Sequence, residues 1–269
     1  MSKRVFLTGD THGAVASRID NLLNNNPEIM PEDIMLIILG DCGLNYYLNE
    51  HERQTKREVE AKGIYLYCVR GNHEARPSSV PGMKLVHDDN VGGPVWMEDE
   101  HPHIRYFCDW GIYNIQGLKT LVVGGAYSVD KHYRLQRGFQ WFEDEQLKDF
   151  EREACLRGAK MQEFDLVLSH TCPFSWQPTD LFLGFIDQSL VDNTMEKWMD
   201  GLADNIIWKN WLFGHYHTDR IELPHVECYY TDIEALDDIV ARWKRYDETK
   251  ELDWWLPVSP KMKRMMKGV

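Results

Sequence analysis

Five times along this chain, an apolar run with the composition of a buried strand stops at a short polar motif rich in Asp, Asn or His. Val5-Phe6-Leu7-Thr8 leads into Gly9-Asp10-Thr11-His12, residues 34–39 into Gly40-Asp41, and residues 64–69 into Arg70-Gly71-Asn72-His73-Glu74. Later, residues 164–168 lead into Ser169-His170, and residues 206–213 into Gly214-His215-Tyr216-His217. A run apolar on both faces, such as residues 34–39, is the pattern of a central strand covered on both sides. Residues 14–24 and about 48–62 have helix-forming composition, the second ending at Gly63 as a C-cap. This strand–helix rhythm predicts an α/β layered domain whose sheet is at least partly parallel.

The middle of the chain breaks the rhythm. Short apolar runs separated by Gly and Pro between residues 91 and 128 predict hairpins or a meander, with Leu121-Val122-Val123 as its best strand. Helices are expected over 141–157, 192–202 and 233–246, and a last strand over 226–230. The composition shifts after Asp247, where Trp254-Trp255, two prolines and Lys261, Lys263, Arg264 and Lys267 close the chain. The expectation is one domain over 1–246 and a solvated extension or tail over 247–269.

Charge narrows the partners. The formal net charge is −13, which repels nucleic-acid backbones at long range and argues against a long nucleic acid as partner. Six scattered cysteines without a CxxC pair suggest buried thiols rather than a disulfide framework or a structural zinc site. The apolar run after Met-Ser-Lys-Arg is too short for a signal sequence or a membrane span, so the protein is read as cytoplasmic and not membrane-bound.

A lone D-x-H or H-x-H is more often structural than ligating, because a strand end readily places residues i and i+2 on one face. Five such groups at five strand ends are a different matter, since the loops beyond parallel strands are where sites form in open α/β sheets. Oxygen and imidazole donors suit Mn, Zn or Fe. The donors at these five ends, Asp10, His12, Asp41, Asn72, His73, His170, His215 and His217, are therefore the candidate metal ligands. Two divalent ions sharing such a set would lower the pKa of a water and clamp the oxygens of an in-line displacement.

The motifs Gly9-Asp10-Thr11-His12-Gly13, Gly40-Asp41, Gly71-Asn72-His73-Glu74, Ser169-His170 and Gly214-His215-Tyr216-His217 resemble those of the calcineurin-like metallophosphoesterases, in the family's order. The stretches around Gly124–Asp130, Trp141–Gln146 and Gly184–Ser189 further resemble a bacterial and phage-type branch of unsettled substrate. The resemblance implies a four-layer fold of two stacked mixed β-sheets flanked by helices. It implies two divalent metal ions, Mn first, with Fe, Zn or Ni as alternatives. Asp10, His12 and His217 would hold one, Asn72, His170 and His215 the other, with Asp41 bridging. His73 would then be the catalytic residue facing the substrate, and Glu74 would orient it or pack structurally.

The resemblance has a gap. Protein phosphatases of this family follow the bridging aspartate with a second Asp and an Arg, whereas Cys42-Gly43-Leu44-Asn45 follows Asp41 here. Arg76, or less favourably Arg70, is the expected substitute for the missing Arg, and Tyr127 is a second substrate-binding candidate. Asp130, Lys131, His132 and Arg134 form a polar cluster whose commoner fate is solvation. The expected activity is hydrolysis of a phosphate mono- or diester by a hydroxide bridging the metals. The alternatives are a nucleotide or nucleic-acid phosphodiesterase and, from another class, a noncatalytic metal-binding scaffold for a protein partner.

Overall fold

The computed structural model describes residues 3–267. The chain opens with strand β1 (Arg4–Thr8), helix α1 (Val15–Asn25), strand β2 (Ile34–Ile38), helix α2 (Glu50–Glu60) and strand β3 (Tyr65–Cys68). A run of short strands follows: β4 (Met83–Asp88), β5 (Gly93–Glu98), β6 (Ile104–Phe107), β7 (Trp110–Ile115) and β8 (Leu118–Val123). Helices α3 (Lys131–Arg137) and α4 (Asp149–Ala159) precede strand β9 (Glu163–Ser169), helix α5 (Thr194–Asn205) and strand β10 (Ile207–Phe213). Strands β11 (Arg220–Leu223), β12 (Val226–Cys228) and β13 (Ile233–Ala235) lead to helices α6 (Leu236–Thr249) and α7 (Pro260–Met266).

Among the described residues the strands form two mixed sheets, ordered β13-β1-β2-β3-β6-β5-β4 and β11-β12-β10-β9-β8-β7. In the first, β1, β2, β3 and β6 run parallel; in the second, β8, β9, β10 and β12 do. Side-chain alternation builds four layers from these sheets. Val5, Leu7, Met35, Ile37 and Tyr67 of the first sheet meet Val122, Leu166, Leu168 and Leu212 of the second in one core. The intervening Phe6, Leu36, Ile38 and Leu66 pack outward on Val15, Ile19 and Leu22 of α1 and Val59 of α2. On the far side, Val123, Val167, Trp211 and Phe213 pack on Cys155 of α4 and Met195 and Met199 of α5. A strand covered on both faces needs apolar residues at every position, which is why the runs do not alternate.

Register sets where the motifs emerge. Thr8 pairs with Ile38, Ile38 with Cys68, and Phe213 with Ser169, so the strands of each sheet end level with one another.

Four expectations are corrected. Residues 141–148 are not helical: Trp141 and Ser128 both donate to Glu145, and α4 starts only at Asp149. Helix α6 starts at Leu236 because residues 233–235 pair antiparallel with β1. Residues 131–137, for which no helix was expected, form α3, stopped by Gly138 in the left-handed region at φ 68°. The basic run at the end keeps most of its charges exposed but is docked rather than a free tail. Met262 is buried, the Ser259 hydroxyl donates to Glu222 O, and Lys261 Nζ donates to Ser175 O at 3.0 Å and Gln177 O at 2.9 Å. Among the described residues no helix is long and apolar enough to cross a membrane.

Candidate metal centre

The aligned strand ends bring all seven predicted ligands to one edge. Asp10 Oδ2 stands 3.1 Å from His217 Nε2 and 3.8 Å from His12 Nε2, and the two imidazole nitrogens are 2.9 Å apart. Ligands about 2.1 Å from a divalent ion stand roughly 3–3.5 Å from one another, so this donor set fits one ion. Asp41 Oδ2 lies 3.7 Å from His170 Nε2, which is itself 2.9 Å from Asn72 Oδ1. The carboxylates of Asp10 and Asp41 and the His170 ring also group together, all three fully enclosed. The His215 and His170 rings are in edge contact with centroids 4.9 Å apart, while the His215 backbone N–H donates to Asp10 Oδ1 at 2.9 Å.

Backbone geometry is spent on this convergence. His12, Asp41, His215 and His217 all adopt positive φ, between 45° and 69°, a region that non-glycine residues occupy only under constraint. Gly40 and Gly71 make room: a Cβ on the first would collide with the His170 ring, and on the second with the Asp41 carboxylate.

Hydrogen bonding fixes the orientation of the His170 and Asn72 side chains. His170 Nδ1 donates to Leu39 O at 2.8 Å, so its Nε2 carries the lone pair. Trp141 Nε1, at 2.9 Å, and the Ser128 hydroxyl, at 2.5 Å, both donate to Glu145 Oε2. Having given away its proton, Ser128 Oγ accepts from Asn72 Nδ2 at 2.9 Å, which turns Asn72 Oδ1 toward His170. The His170 lone pair and the Asn72 amide oxygen thus face each other with no proton between them, and the Asp41 carboxyl stands beside them. Such an arrangement is repulsive unless a cation sits between the atoms.

Electrostatics agrees. Among the described residues, the ion-pair partners of Asp10 and Asp41 are all histidines. Burial and then the charge of Asp10 push Asp41 well above the usual carboxylate range. Burial also raises Asp10, but its hydrogen bond with His217 and the neighbouring imidazoles outweigh that and hold it well below. Burial and the other imidazoles press His215 down to about 3, and burial, then the Arg134 charge and the imidazoles, press His73 to about 2, so both rings are neutral.

The remaining predicted residues divide. The His73 backbone N–H donates to Asp41 Oδ1 at 2.8 Å, and its ring lines the cavities beside the centre. Tyr127 lines one of these cavities. Glu74 is structural in geometry, accepting the Gly43 N–H at 2.8 Å and the Gly71 N–H at 3.2 Å, and so ties the Asp41 and Asn72 loops together. Arg76 is not brought to the centre: its guanidinium is buried against Asp109, Asp144 and Glu151. Arg70 is likewise consumed by Asp109 and Glu145 O. The arginine that does reach the centre is Arg134, with Nη2 at 3.4 Å from His73 Nε2 and Nη1 donating to Tyr46 Oη at 2.9 Å. Asp130, one turn earlier beside α3, holds it by two contacts of 2.8 Å. An i,i+4 Asp–Arg pair was the available signal, but nothing local indicates that α3 folds over the centre. Burial keeps the Cys42 thiol well above its usual range, which makes it an inert packing residue beside Asp41.

Residues 3–219 match the calcineurin-like phosphoesterase family. The chain belongs to that family. As a calcineurin-like phosphoesterase it is a hydrolase of phosphoester bonds, and its family membership implies divalent metal ions at the Asp and His groups described above. Among solved structures, it is similar to phosphopantetheinyl hydrolase from Mycobacterium tuberculosis, at 15% identity and TM-score 0.42, over 86% of this chain and 89% of that one. A protein from Thermus thermophilus is similar at 13% identity and TM-score 0.44, over 87% of this chain and 98% of that one. A novel archaeal phosphodiesterase is similar at 11% identity and TM-score 0.34, over 84% and 82% of the respective chains. No curated protein matches this phosphoesterase.

Proposed function

We propose that the protein is a two-metal phosphoesterase acting on a small phosphodiester, with phosphomonoesters as poorer substrates. The observation that carries the metal reading is the proton-free meeting of His170 Nε2 and Asn72 Oδ1 beside Asp41 Oδ2. Asp10, His12 and His217 would hold one ion, Asn72, His170 and His215 the other, with Asp41 shared between them. Bound divalent ions, Mn foremost, supply phosphate-charge neutralisation and a nucleophile at neutral pH.

The chain's own residues do the rest. His73, a neutral ring on the cavity wall, assists the departing alkoxide by stabilising the charge that builds there. Arg134 offers N–H donors to a nonbridging oxygen, in the place that Arg76 was expected to fill. Asp130 and Tyr46 hold its fork in position, so little side-chain entropy is lost on binding.

The preference for a diester rests on shape. Two cavities, of about 390 and 370 Å³, each have Asp41 and His73 in their walls. A phosphate at that junction has room for an organic group on each side. A noncatalytic scaffold would not need His73 and Arg134 aimed at the same point.

The test is hydrolysis of a 4-nitrophenyl phosphomonoester beside a 4-nitrophenyl phosphodiester, after metal removal and reloading with Mn. Metal-dependent turnover with higher kcat/KM for the diester is the expected result. Equal turnover without metal would remove the two-metal reading, and a preference for the monoester would remove the diester.

A further inference from the structure

The larger of the two cavities has a chemistry that phosphate binding does not require. It runs from Asp41 and His73 to an outer wall of Leu181, Phe182, Leu183 and Ile186. Its lining includes Glu196 of α5, which is only 3% exposed. The Thr171 hydroxyl donates to Glu196 Oε1 at 2.9 Å, but Oε2 has no hydrogen-bond partner among the described residues. A buried carboxylate oxygen without a donor is costly and calls for a ligand.

Charge indicates what kind of ligand. Asp130 and Asp192 also line the cavity, and among the described residues no Lys or Arg does. Asp130 is satisfied by Arg134, and Asp192 by Thr194 and Gln146, which leaves Glu196 as the member with an open site. The Phe182 and Tyr216 rings lie nearly parallel, 13° apart with centroids separated by 6.4 Å, and aromatic faces attract cations. A second phosphate would be repelled by this wall, and a purely aliphatic group would leave Oε2 unpaired. A cation on an apolar stem suits the carboxylate, the rings and the aliphatic rim together.

We propose that this cavity binds one organic arm of the phosphate ester, and that the arm carries an amine whose ammonium pairs with Glu196 Oε2. The inference rests on the phosphoesterase reading and names its substrate class, an aminoalkyl phosphoester. Burial, the largest influence, holds Glu196 at about 7, so at pH 8 an arriving ammonium meets a charged partner.

The test uses two pairs of compounds that differ only in NH3+ against CH3. One pair is 2-aminoethyl and propyl phosphonate, read as direct binding to the Mn-loaded protein at pH 8. The other is the 4-nitrophenyl diesters of the same two groups, read as kcat/KM. A charge-assisted hydrogen bond predicts roughly tenfold to hundredfold preference for the amine in both. Glu196→Gln should bring both ratios near one, and Glu196→Asp should restore part of the preference.

Equal or weaker binding of the aminophosphonate by the unmodified protein overturns the proposal without any variant, as does failure to bind either phosphonate. A preference that persists undiminished in a folded Glu196→Gln protein also overturns it. Discrimination between the phosphonates without turnover of either diester would instead remove the phosphoesterase reading and leave the amine site standing.

Discussion

The Arg134 guanidinium reaches to within 3.4 Å of His73 Nε2 across a sequence separation of 61 residues. Helix α3 places it there, and the Asp130 carboxylate and Tyr46 hydroxyl fix its fork. If Arg134 grips the phosphate, Arg134→Ala should lower kcat/KM on the order of 10²-fold, as loss of a charge-stabilising donor commonly does. Arg134→Lys should recover only part of it, because an ammonium lacks the fork. Arg76→Ala should instead lower thermal stability, since it strips a buried guanidinium from Asp109, Asp144 and Glu151. Steady-state kinetics and melting curves of the three variants check this. An Arg134→Ala protein with unchanged kcat/KM would return Arg134 to the solvated surface.

His73 and Asp41 should separate in the same assays. His73→Ala should retain both metals and slow turnover by about 10²–10⁴-fold. Asp41→Asn should lose metal along with activity, because its Oδ2 faces His170 while its Oδ1 also holds the His73 N–H. Metal content by elemental analysis, beside kcat, distinguishes the two. A metal-free His73→Ala protein would make His73 a ligand rather than a catalytic residue.

Behind Asn72 stands a chain of donors ending at Trp141. Ser128→Ala removes the acceptor that points Asn72 Oδ1 toward His170, and the amide is then free to flip. Loss of such a support typically weakens metal affinity about 10–100-fold. Titration with a competing chelator should show that weakening, with little change in melting temperature for the metal-free protein.

The contrast between these residues explains what could be read in advance. The seven candidate ligands could be grouped in advance because each follows a strand apolar on both faces, and parallel pairing within each sheet brings those ends level. Arg134, Ser128, Glu145 and Glu196 were not, because their roles depend on how α3, residues 141–148 and α5 fold back over that edge. Arg76 misled for the complementary reason: proximity to Asn72 in sequence does not set the direction of its side chain, and Asp109 and Glu151 claimed it. Strand β13 was hidden because Ile233-Glu234-Ala235 suits a helix as well as a strand, and only the free edge of β1 decides. The C-terminal basic run looked solvated because its charges do face outward for the most part, while Met262 between them points into the core.

Met262 gives a stability prediction remote from the centre. Its side chain is fully buried in the core between the sheets, so Met262→Ala should cost about 2–5 kcal/mol. Urea denaturation should show a lower midpoint. An unchanged midpoint would mean that α7 contributes nothing to the folded domain.

Glu196 makes stability depend on pH in a defined direction. Burial, the largest influence, raises its pKa from the usual 4.5 to about 7. The folded protein therefore holds this proton more tightly than the unfolded chain does. Where the folded state binds more protons, stability falls as pH rises, so this contribution is full below about 4.5 and is lost by about 7. At 1.36 kcal/mol per pKa unit, the loss amounts to about 3 kcal/mol at most. Glu74, also raised to about 7 by burial and Asp41, adds a slope of its own, so the comparison must be with a variant rather than with theory. Glu196→Gln keeps a neutral polar group at the site and removes only this titration. Metal-free Glu196→Gln should therefore lose less stability than the unmodified protein between pH 4.5 and 7 in parallel denaturant titrations. Identical pH profiles would mean that Glu196 is ionised throughout, with a donor already at Oε2.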